Sequence, residues 1–386
     1  MRIAKICAHF WPVKGGMENH MYYESKELAK RGHESSILVS DSTHEGRLKT
    51  KNEIFDGIKV KRFPTWFKYS YFSPFFPGLF VHLLKEKYDI LHIHSYRQFY
   101  NLAILIARLR RIPVVLSTHW PEYPDSVRNK NLNRAIRFFD NTLGPILLKS
   151  ADRLIVQTTA EQQWFKEKFK INPKKIIIIP PGLPKFYTEP RDGNIFREKY
   201  KIKEKNIVLC LGRIHRSKGF DKIIRIAKNF SGTKFVFVGP NGGSMAEFKN
   251  LAKELHTEDK ILFTGEVSEQ EKIDALASCD VLAMPSDYEA FGISLIETFA
   301  QGKPVIASNS GGMPYVVGNC GLVFEKNNLA ELEQKLKHLL SDKKLREKFG
   351  KLALARAKNY VWEEIVNKLE KEYEKLIIEK RKFKSA

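Results

Sequence analysis

The sequence predicts an α/β chain built as two doubly wound parallel-sheet domains facing a central cleft, and three observations predict it. Short β-branched runs alternate with longer amphipathic runs along nearly the whole length. The alternation stops at Pro180-Pro181-Gly182-Leu183-Pro184, which can continue neither a helix nor a central strand, and then restarts. The composition, 43% hydrophobic and 28% charged over 386 residues, is that of a globular chain long enough for two or three domains.

The first half predicts strands at residues 3–8, 34–40, 58–63, 90–94, 114–118, 153–158 and 176–179, with helical patterns such as 19–30 and 101–109 between them. The second half predicts strands at 207–211, 234–238, 261–264, 281–284, 304–307 and 321–324. Helices are expected at 221–229, 245–255, 268–277, 293–301 and 329–341, with Gly302 in the position of a helix C-cap. A last charged amphipathic helix is read over 362–380. The domains so drawn are 1–185, 186–360 and a C-terminal helix, 361–386, expected to pack back toward the first domain. The hinge falls near 180–190.

Other features bound the function. Cys7, Cys210, Cys279 and Cys320 are scattered, without a CxxC pair or zinc-ligand spacing, so they read as core residues in a reducing compartment. The N-terminal run is too short for a signal peptide and no apolar stretch is long enough to span a bilayer, so a cytoplasmic location is expected. The formal charge of +22 divides as +14 in residues 1–190 and +8 in the remainder, which favours anionic partners.

Ligands of open α/β sheets bind at the carboxyl ends of the strands, so chemistry is sought there. After the strand at 207–211 comes Gly212-Arg213-Ile214-His215-Arg216-Ser217-Lys218-Gly219. An arginine fork and a lysine point charge on one loop suit a diphosphate, although alone the loop is equally a solvated basic turn. After the strand at 281–284, Glu289 lies in a loop and Glu297 one turn into a helix that starts near Gly292. The free amides of that helix start suit phosphate oxygens, Glu297 a ribose and Glu289 sugar hydroxyls.

Glu289-Ala-Phe-Gly-Ile-Ser-Leu-Ile-Glu297 resembles the E-x7-E signature of retaining glycosyltransferases of family 4, whose fold is GT-B, two Rossmann-like domains. Other features resemble that family in order. They are Lys14-Gly15-Gly16-Met17-Glu18, Leu28-Ala29-Lys30-Arg31-Gly32-His33, Ser117-Thr118-His119, Gly212-Arg213 with Ser217-Lys218-Gly219, and Ala300-Gln301-Gly302-Lys303-Pro304. The resemblance covers essentially the whole chain. Two positions depart from it: Tyr315 stands where the family often has Glu, and Pro181-Gly182 where it often has Asn-Gly.

The resemblance implies transfer of a sugar from a UDP-, GDP- or ADP-sugar to an acceptor hydroxyl with retention, without metal or other cofactor. No Asp-x-Asp motif is present, in keeping with that expectation. It implies that Arg213 and Lys218 bind the diphosphate, Glu297 the ribose and Glu289 the donor sugar. Backbone amides of Phe291, Gly292, Ile293 and Ser294 would face phosphate and sugar. Gly15 and Gly16 would let a loop approach the donor, His119 would bond near the reacting sugar, and Gly265 to Val267 would meet the base.

The acceptor is read as a sugar, a lipid-linked glycan or a glycolipid. Residues 63–80 hold nine aromatics beside Lys61, Arg62 and Lys68, and a second basic segment runs over 128–137. Such segments suit either peripheral contact with an anionic membrane or packing into the first domain. Two further readings stay open at this stage: a sugar-nucleotide 2-epimerase of the same shape, and a basic nucleic-acid-binding protein, although no specific nucleic-acid signature is present. A glycoside hydrolase using Glu289 and Glu297 leaves the Arg213/Lys218 loop without a task.

Overall fold

The computed structural model describes residues 1–13, 15–43, 46–69, 73–121 and 130–385, with side chains to 381. Lys14, Tyr71, Phe72 and Arg128, which the sequence singles out, lie outside the described residues. The chain forms two compact units: Met1–Gly182 with Trp362–Ala386, and Leu183–Val361.

Unit 1 holds strands β1 (Arg2–Ile6), β2 (Glu34–Ser40), β3 (Asn52–Phe55), β4 (Ile58–Phe63), the short pair β5 (Phe67–Lys68) and β6 (Pro74–Phe75), and β7 (Ile90–His94), β8 (Val114–Ser117), β9 (Arg153–Val156) and β10 (Ile176–Ile178). Its helices are α1 (Gly16–Lys30), α2 (Gly78–Lys85), α3 (Ala103–Leu109), α4 (Lys130–Asn141), α5 (Leu143–Ser150) and α6 (Thr159–Phe169). The main sheet runs β10-β9-β8-β7-β1-β2-β4-β3, parallel except for the β3–β4 hairpin. Strands buried on both faces are mostly apolar, as Ile3, Ala4 and Ile6 of β1, Ile90, Leu91 and Ile93 of β7, and Val114, Val115 and Leu116 of β8 are. The polar exceptions, Lys5, His92, His94 and Ser117, are buried as well.

The two faces of this sheet are covered differently. On one face, α2, α3, α5 and α6 bury Leu79, Ile104, Leu147 and Phe165 against Ala4, Leu91 and Leu116. On the other, the final helix returns from the end of unit 2. This helix, numbered α15 (Trp362–Ser385), lays Ile365, Val366, Leu369, Tyr373 and Leu376 against Ile3, Ile90, Val115 and Ile155. Those positions form one helical stripe, whose burial is worth about 1.5–3 kcal/mol for each large apolar side chain. Charged rims hold the register: Arg31 and His33 bond Glu370 at 3.0 and 2.6 Å, and Lys380 reaches Asp152 at 2.9 Å. Gly182 lies against the Trp362 ring, where an added Cβ would stand 2.5 Å from the indole, so the residue after Pro181 must be small.

Unit 2 opens with α7 (Asn194–Lys199) and continues with β11 (Asn206–Leu211), α8 (Phe220–Ile226), β12 (Thr233–Val238), α9 (Met245–Glu254), β13 (Ile261–Gly265) and α10 (Glu269–Ser278). It ends with β14 (Val281–Met284), α11 (Ile293–Ala300), β15 (Val305–Ser308), α12 (Met313–Val317), β16 (Gly321–Phe324), α13 (Leu329–Ser341) and α14 (Lys343–Ala357). The six strands are all parallel, in the order β13-β12-β11-β14-β15-β16. Along β11, Ile207, Leu209 and Leu211 enter one core while Val208 and Cys210 enter the other. All four cysteines are free and buried.

In each unit the strand order reverses at one place, next to β1 in unit 1 and next to β11 in unit 2. At such a point neighbouring connections leave toward opposite faces and open a crevice at the strands' carboxyl ends. The loops after β1, β11 and β14 are therefore where each fold presents groups to a ligand.

Candidate active site

In unit 2 three loops lock together at the carboxyl end of the sheet. The β11 loop begins at Gly212, with φ of 142°, and ends at Gly219, with φ of 65°. A Cβ on Gly219 would stand 2.2 Å from the Pro285 carbonyl, so this contact admits only glycine. Asp287 N–H donates to Ser217 O at 2.9 Å, and Lys222 Nζ donates to Pro285 O at 3.0 Å and Asp287 Oδ1 at 2.7 Å. From the other side, Ser310 Oγ donates to Asp287 O at 2.6 Å and Gly312 N–H to Glu289 O at 2.9 Å. The backbone that carries Glu289 is thus held from both flanks.

That bracing fixes what the side chains do. Lys218 Nζ donates to Glu289 Oε1 at 2.5 Å, and Ser286 Oγ donates to the same oxygen at 3.0 Å. Two residues singled out from separate motifs therefore form one half-buried ion pair. Arg213 is exposed and its guanidinium has no partner among the described residues, so its five donors are available. Gly292, with φ of 86°, caps α11, and Ile293 and Ser294 follow in its first turn. The Phe291 ring is buried edge-on to Tyr360, which leaves only its backbone to meet a ligand.

Glu297 lies one turn inside α11 and is buried. Its Oε1 accepts from Tyr187 Oη at 3.1 Å and from Lys272 Nζ at 2.9 Å, while no partner engages Oε2 among the described residues. Lys272 also reaches Glu269 at 2.9 Å, and the Tyr187 hydroxyl donates to Glu269 as well. Burial works against the Lys272 charge, yet Glu297 and Glu269 hold its pKa above the ordinary lysine value. Burial, then the same two carboxylates, push the Tyr187 hydroxyl far above its ordinary value, so it remains a donor. Sequence reasoning missed Tyr187, Glu269 and Lys272, because three residues from a turn and a helix carry no motif. Gly265 ends β13 with φ of 76°; its carbonyl already accepts from Gly239 N–H at 2.9 Å and Thr264 Oγ1 at 3.0 Å. Val267 packs half-buried on the unit core.

In unit 1, Gly15 is the extended N-cap of α1 and Gly16 its first residue. His119 follows β8 with φ of 53°, and Trp120 after it has φ of 29°. Glu161 holds this strained turn, a role sequence reasoning also missed. Its Oε1 accepts from Thr118 Oγ1 at 2.6 Å and Trp120 N–H at 2.5 Å, and its Oε2 from Gln157 N–H at 2.7 Å. Burial pushes its carboxyl up to about 7, against the opposing pull of those donors. The signal was present as Thr158-x-x-Glu161 at the start of α6, where Thr158 caps the helix by accepting from Glu161 N–H. The Glu161 carboxylate, however, reaches back to Gln157 N–H and the β8 turn instead of to Thr158 N–H.

Both ring nitrogens of His119 are engaged inside unit 1, with His94 Nδ1 at 3.2 Å and Gln157 Nε2 at 3.1 Å. The His20 ring of α1 stands edge-on at 5.5 Å, which joins the α1 turn to this cluster. Burial first, then neighbouring histidines, keep the His119 pKa well below its ordinary value, so it is neutral at physiological pH. Under the cluster, Lys5 and Glu24 form a buried pair at 2.5 Å. Burial opposes the Glu24 charge, but Lys5, His20 and His92 hold its carboxyl well below the usual range. Glu24, His92 and His94 bring ligand atoms within 4.8 Å of one another. They do not fit a cation, because the Lys5 ammonium already sits against Glu24 and His92 is taken up by Tyr373 at 2.5 Å and Ser117 at 2.7 Å.

Two family models match nearly the whole length between them: Glycosyltransferase Family 4 over residues 14–184 and Glycosyl transferases group 1 over residues 192–356. A D-inositol 3-phosphate glycosyltransferase of Corynebacterium aurimucosum is 26% identical, over 97% of this chain and 96% of its own. The phosphatidylinositol N-acetylglucosaminyltransferase GPI3 subunit of Saccharomyces cerevisiae is 24% identical, over 86% of this chain and 73% of its own. Among solved structures, a sucrose-phosphate synthase from Thermosynechococcus elongatus superposes with a TM-score of 0.77 at 20% identity, covering 98% of this chain and 99% of that one. The fold is therefore GT-B and the molecule is a glycosyltransferase enzyme. The chain belongs to glycosyltransferase family 4.

Proposed function

We propose that this glycosyltransferase takes its sugar from a nucleoside diphosphate sugar held by unit 2, transfers it with retention, and needs no metal. The observation that carries the reading is the assembly of Arg213, the Lys218–Glu289 pair and the α11 N-terminus on interlocked loops. As the anomeric bond breaks, negative charge grows on the distal phosphate of the leaving group. Fixed cations aimed at that charge lower the barrier, because they stabilise the transition state more than the ground state. Lys218 has three donors and can keep Glu289 while meeting a phosphate oxygen. Glu289 in turn is positioned to accept from a sugar hydroxyl.

Glu297 is the ribose ligand in this reading. Tyr187 and Lys272 occupy Oε1, which leaves Oε2 as the acceptor for a hydroxyl. Backbone groups at Gly265 to Val267 meet the base, and Gly15, Gly16 and His119 of unit 1 serve the reacting sugar and the acceptor. His119 is neutral and not a cation, and it meets a sugar hydroxyl by exchanging its bond to His94 or Gln157. The acceptor is a hydroxyl on a phosphate-bearing polyol, free or lipid-linked, a class the relatives' names support.

A thermal-shift screen of UDP-, GDP- and ADP-sugars in excess EDTA tests the donor and the metal together, since selective binding raises apparent stability. One nucleotide class is expected to stabilise the protein, and transfer is expected to persist in EDTA. Turnover that appears only when Mg²⁺ or Mn²⁺ is restored contradicts the metal-free reading.

A further inference from the structure

One face of unit 1 combines exposed apolar side chains with cations and almost no carboxylate. Helices α2, α3, α5 and α4 lie side by side in this layer, and their inner sides feed the same core. Their outer sides should be polar, yet they present Val81 and Leu84 from α2, Leu105 and Leu109 from α3, Phe138 from α4 and Ile146 from α5. Leu109 is 78% exposed and Phe138 72%. The β5–β6 hairpin extends the patch: Phe75 contacts Phe80 of α2, and Phe67 stacks edge-on with Phe99 just before α3. Trp66, 71% exposed, and Tyr69 stand out from it.

The charges among these residues are of one sign. Lys85, Arg108, Arg134 and Lys149 are exposed on the same four helices. Those helices contain one carboxylate, Asp140, which is buried and taken up by Arg97 and Lys168. The sequence alone left the aromatics of residues 63–80 open between core and surface. The structure divides them: Phe63 and Phe76 are buried, whereas Trp66, Phe67 and Tyr69 are exposed.

We propose that this helix layer docks on an anionic lipid bilayer. Protruding apolar groups enter the headgroup region, Trp and Tyr settle at its depth, and lysines and arginines are drawn to a negative leaflet. A second copy of this chain does not suit the face, because its exposed charges, apart from Glu86 at the end of α2, are lysines and arginines, and two such surfaces repel. A duplex nucleic acid would use the cations but leave Leu109 and Phe138 without a partner. The inference does not rest on the donor assignment, and its test reads neither nucleotide binding nor transfer.

Full-length protein is sedimented with vesicles of phosphatidylcholine alone or with roughly one-third phosphatidylglycerol, at modest salt. The wild type is expected to sediment with the anionic vesicles and to stay in solution with the neutral ones. Leu109→Ser with Phe138→Ser, and separately Lys85→Glu with Arg108→Glu, should each lower the bound fraction by about tenfold. All four positions are exposed, so the thermal midpoint should hold in both double variants and show that they are folded. Absence of binding to anionic vesicles overturns the proposal. So does binding that both variants retain, or duplex DNA binding lost with the charges while vesicles never sediment the protein.

Discussion

The two units of this enzyme share one architecture and put their polar groups to opposite use. At the carboxyl end of the unit 2 sheet, Lys218 and Glu289 are partly exposed and paired across loops and Arg213 is exposed, while the buried Lys222 only braces Asp287. At the corresponding end of unit 1, the polar groups are buried histidines held neutral, and the charged pair Lys5–Glu24 lies beneath them in the core. Half-exposed charges can turn toward a polyanion at little cost, whereas a buried ion pair cannot change partner without a large desolvation penalty. The exposed cations of unit 2 suit a polyanion, as in the proposed donor, whereas the buried groups of unit 1 form a rigid, uncharged base beneath the turn after β8.

The contrast can be broken most forcefully at the buried pair. Lys5→Met removes the ammonium that neutralises Glu24 and leaves it only the His20 and His92 rings, so it should destabilise unit 1 by about 3–5 kcal/mol in urea unfolding. A loss near the 0–1 kcal/mol of a surface pair, about what an exposed ion pair is worth, would show that Lys5 and Glu24 are hydrated after all. Next comes the half-exposed pair in unit 2. Lys218→Ala should leave stability nearly unchanged and lower kcat/KM by about 10²–10³-fold, the scale of one preorganised donor. Equal losses in stability and turnover would erase the distinction between the two regions.

Smaller effects sharpen it. Lys272→Met leaves Glu297 with Tyr187 alone, so the donor KM should rise about tenfold with kcat held, as expected for uniform binding lost at a ribose ligand. A fall in kcat at unchanged KM would place Lys272 in the chemistry instead. The smallest effect is a pH slope. Glu161 titrates at about 7 in the fold against 4.5 for an ordinary glutamate. Its contribution is therefore greatest below pH 4.5 and is lost as pH rises through 7. Glu161→Gln should flatten that slope in thermal midpoints, and an unchanged slope would move the titration elsewhere.

Strands were the most legible part of the sequence. Those at 34–40, 58–63, 90–94, 281–284 and 321–324 have in the structure the bounds the sequence predicts, because each gathers β-branched or aromatic residues between turn-forming residues. The hairpin strand β3 and helices α2, α4, α5, α6, α7, α12 and α14 were not read. Pro77 caps α2 and Pro145 stands in the first turn of α5, where proline removes no intrahelical bond; read as breakers, these prolines hide helices that they start. The same split runs through the site. Gly219, Glu289 and Gly292 carry their chemistry in adjacent residues. The set Tyr187, Glu269, Lys272 and Glu297 is assembled by the fold from segments far apart in the chain.

The central claim is that cations and amide dipoles of unit 2 capture a nucleotide diphosphate. Calorimetric titration of UDP, GDP and ADP, in EDTA, into wild type, Arg213→Ala and Lys218→Ala tests it most directly. One nucleotide should bind the wild type, and each substitution should weaken it by at least about tenfold, the loss of one charge-assisted contact. Equal affinity in all three proteins, or no binding of any nucleoside diphosphate, would contradict the account.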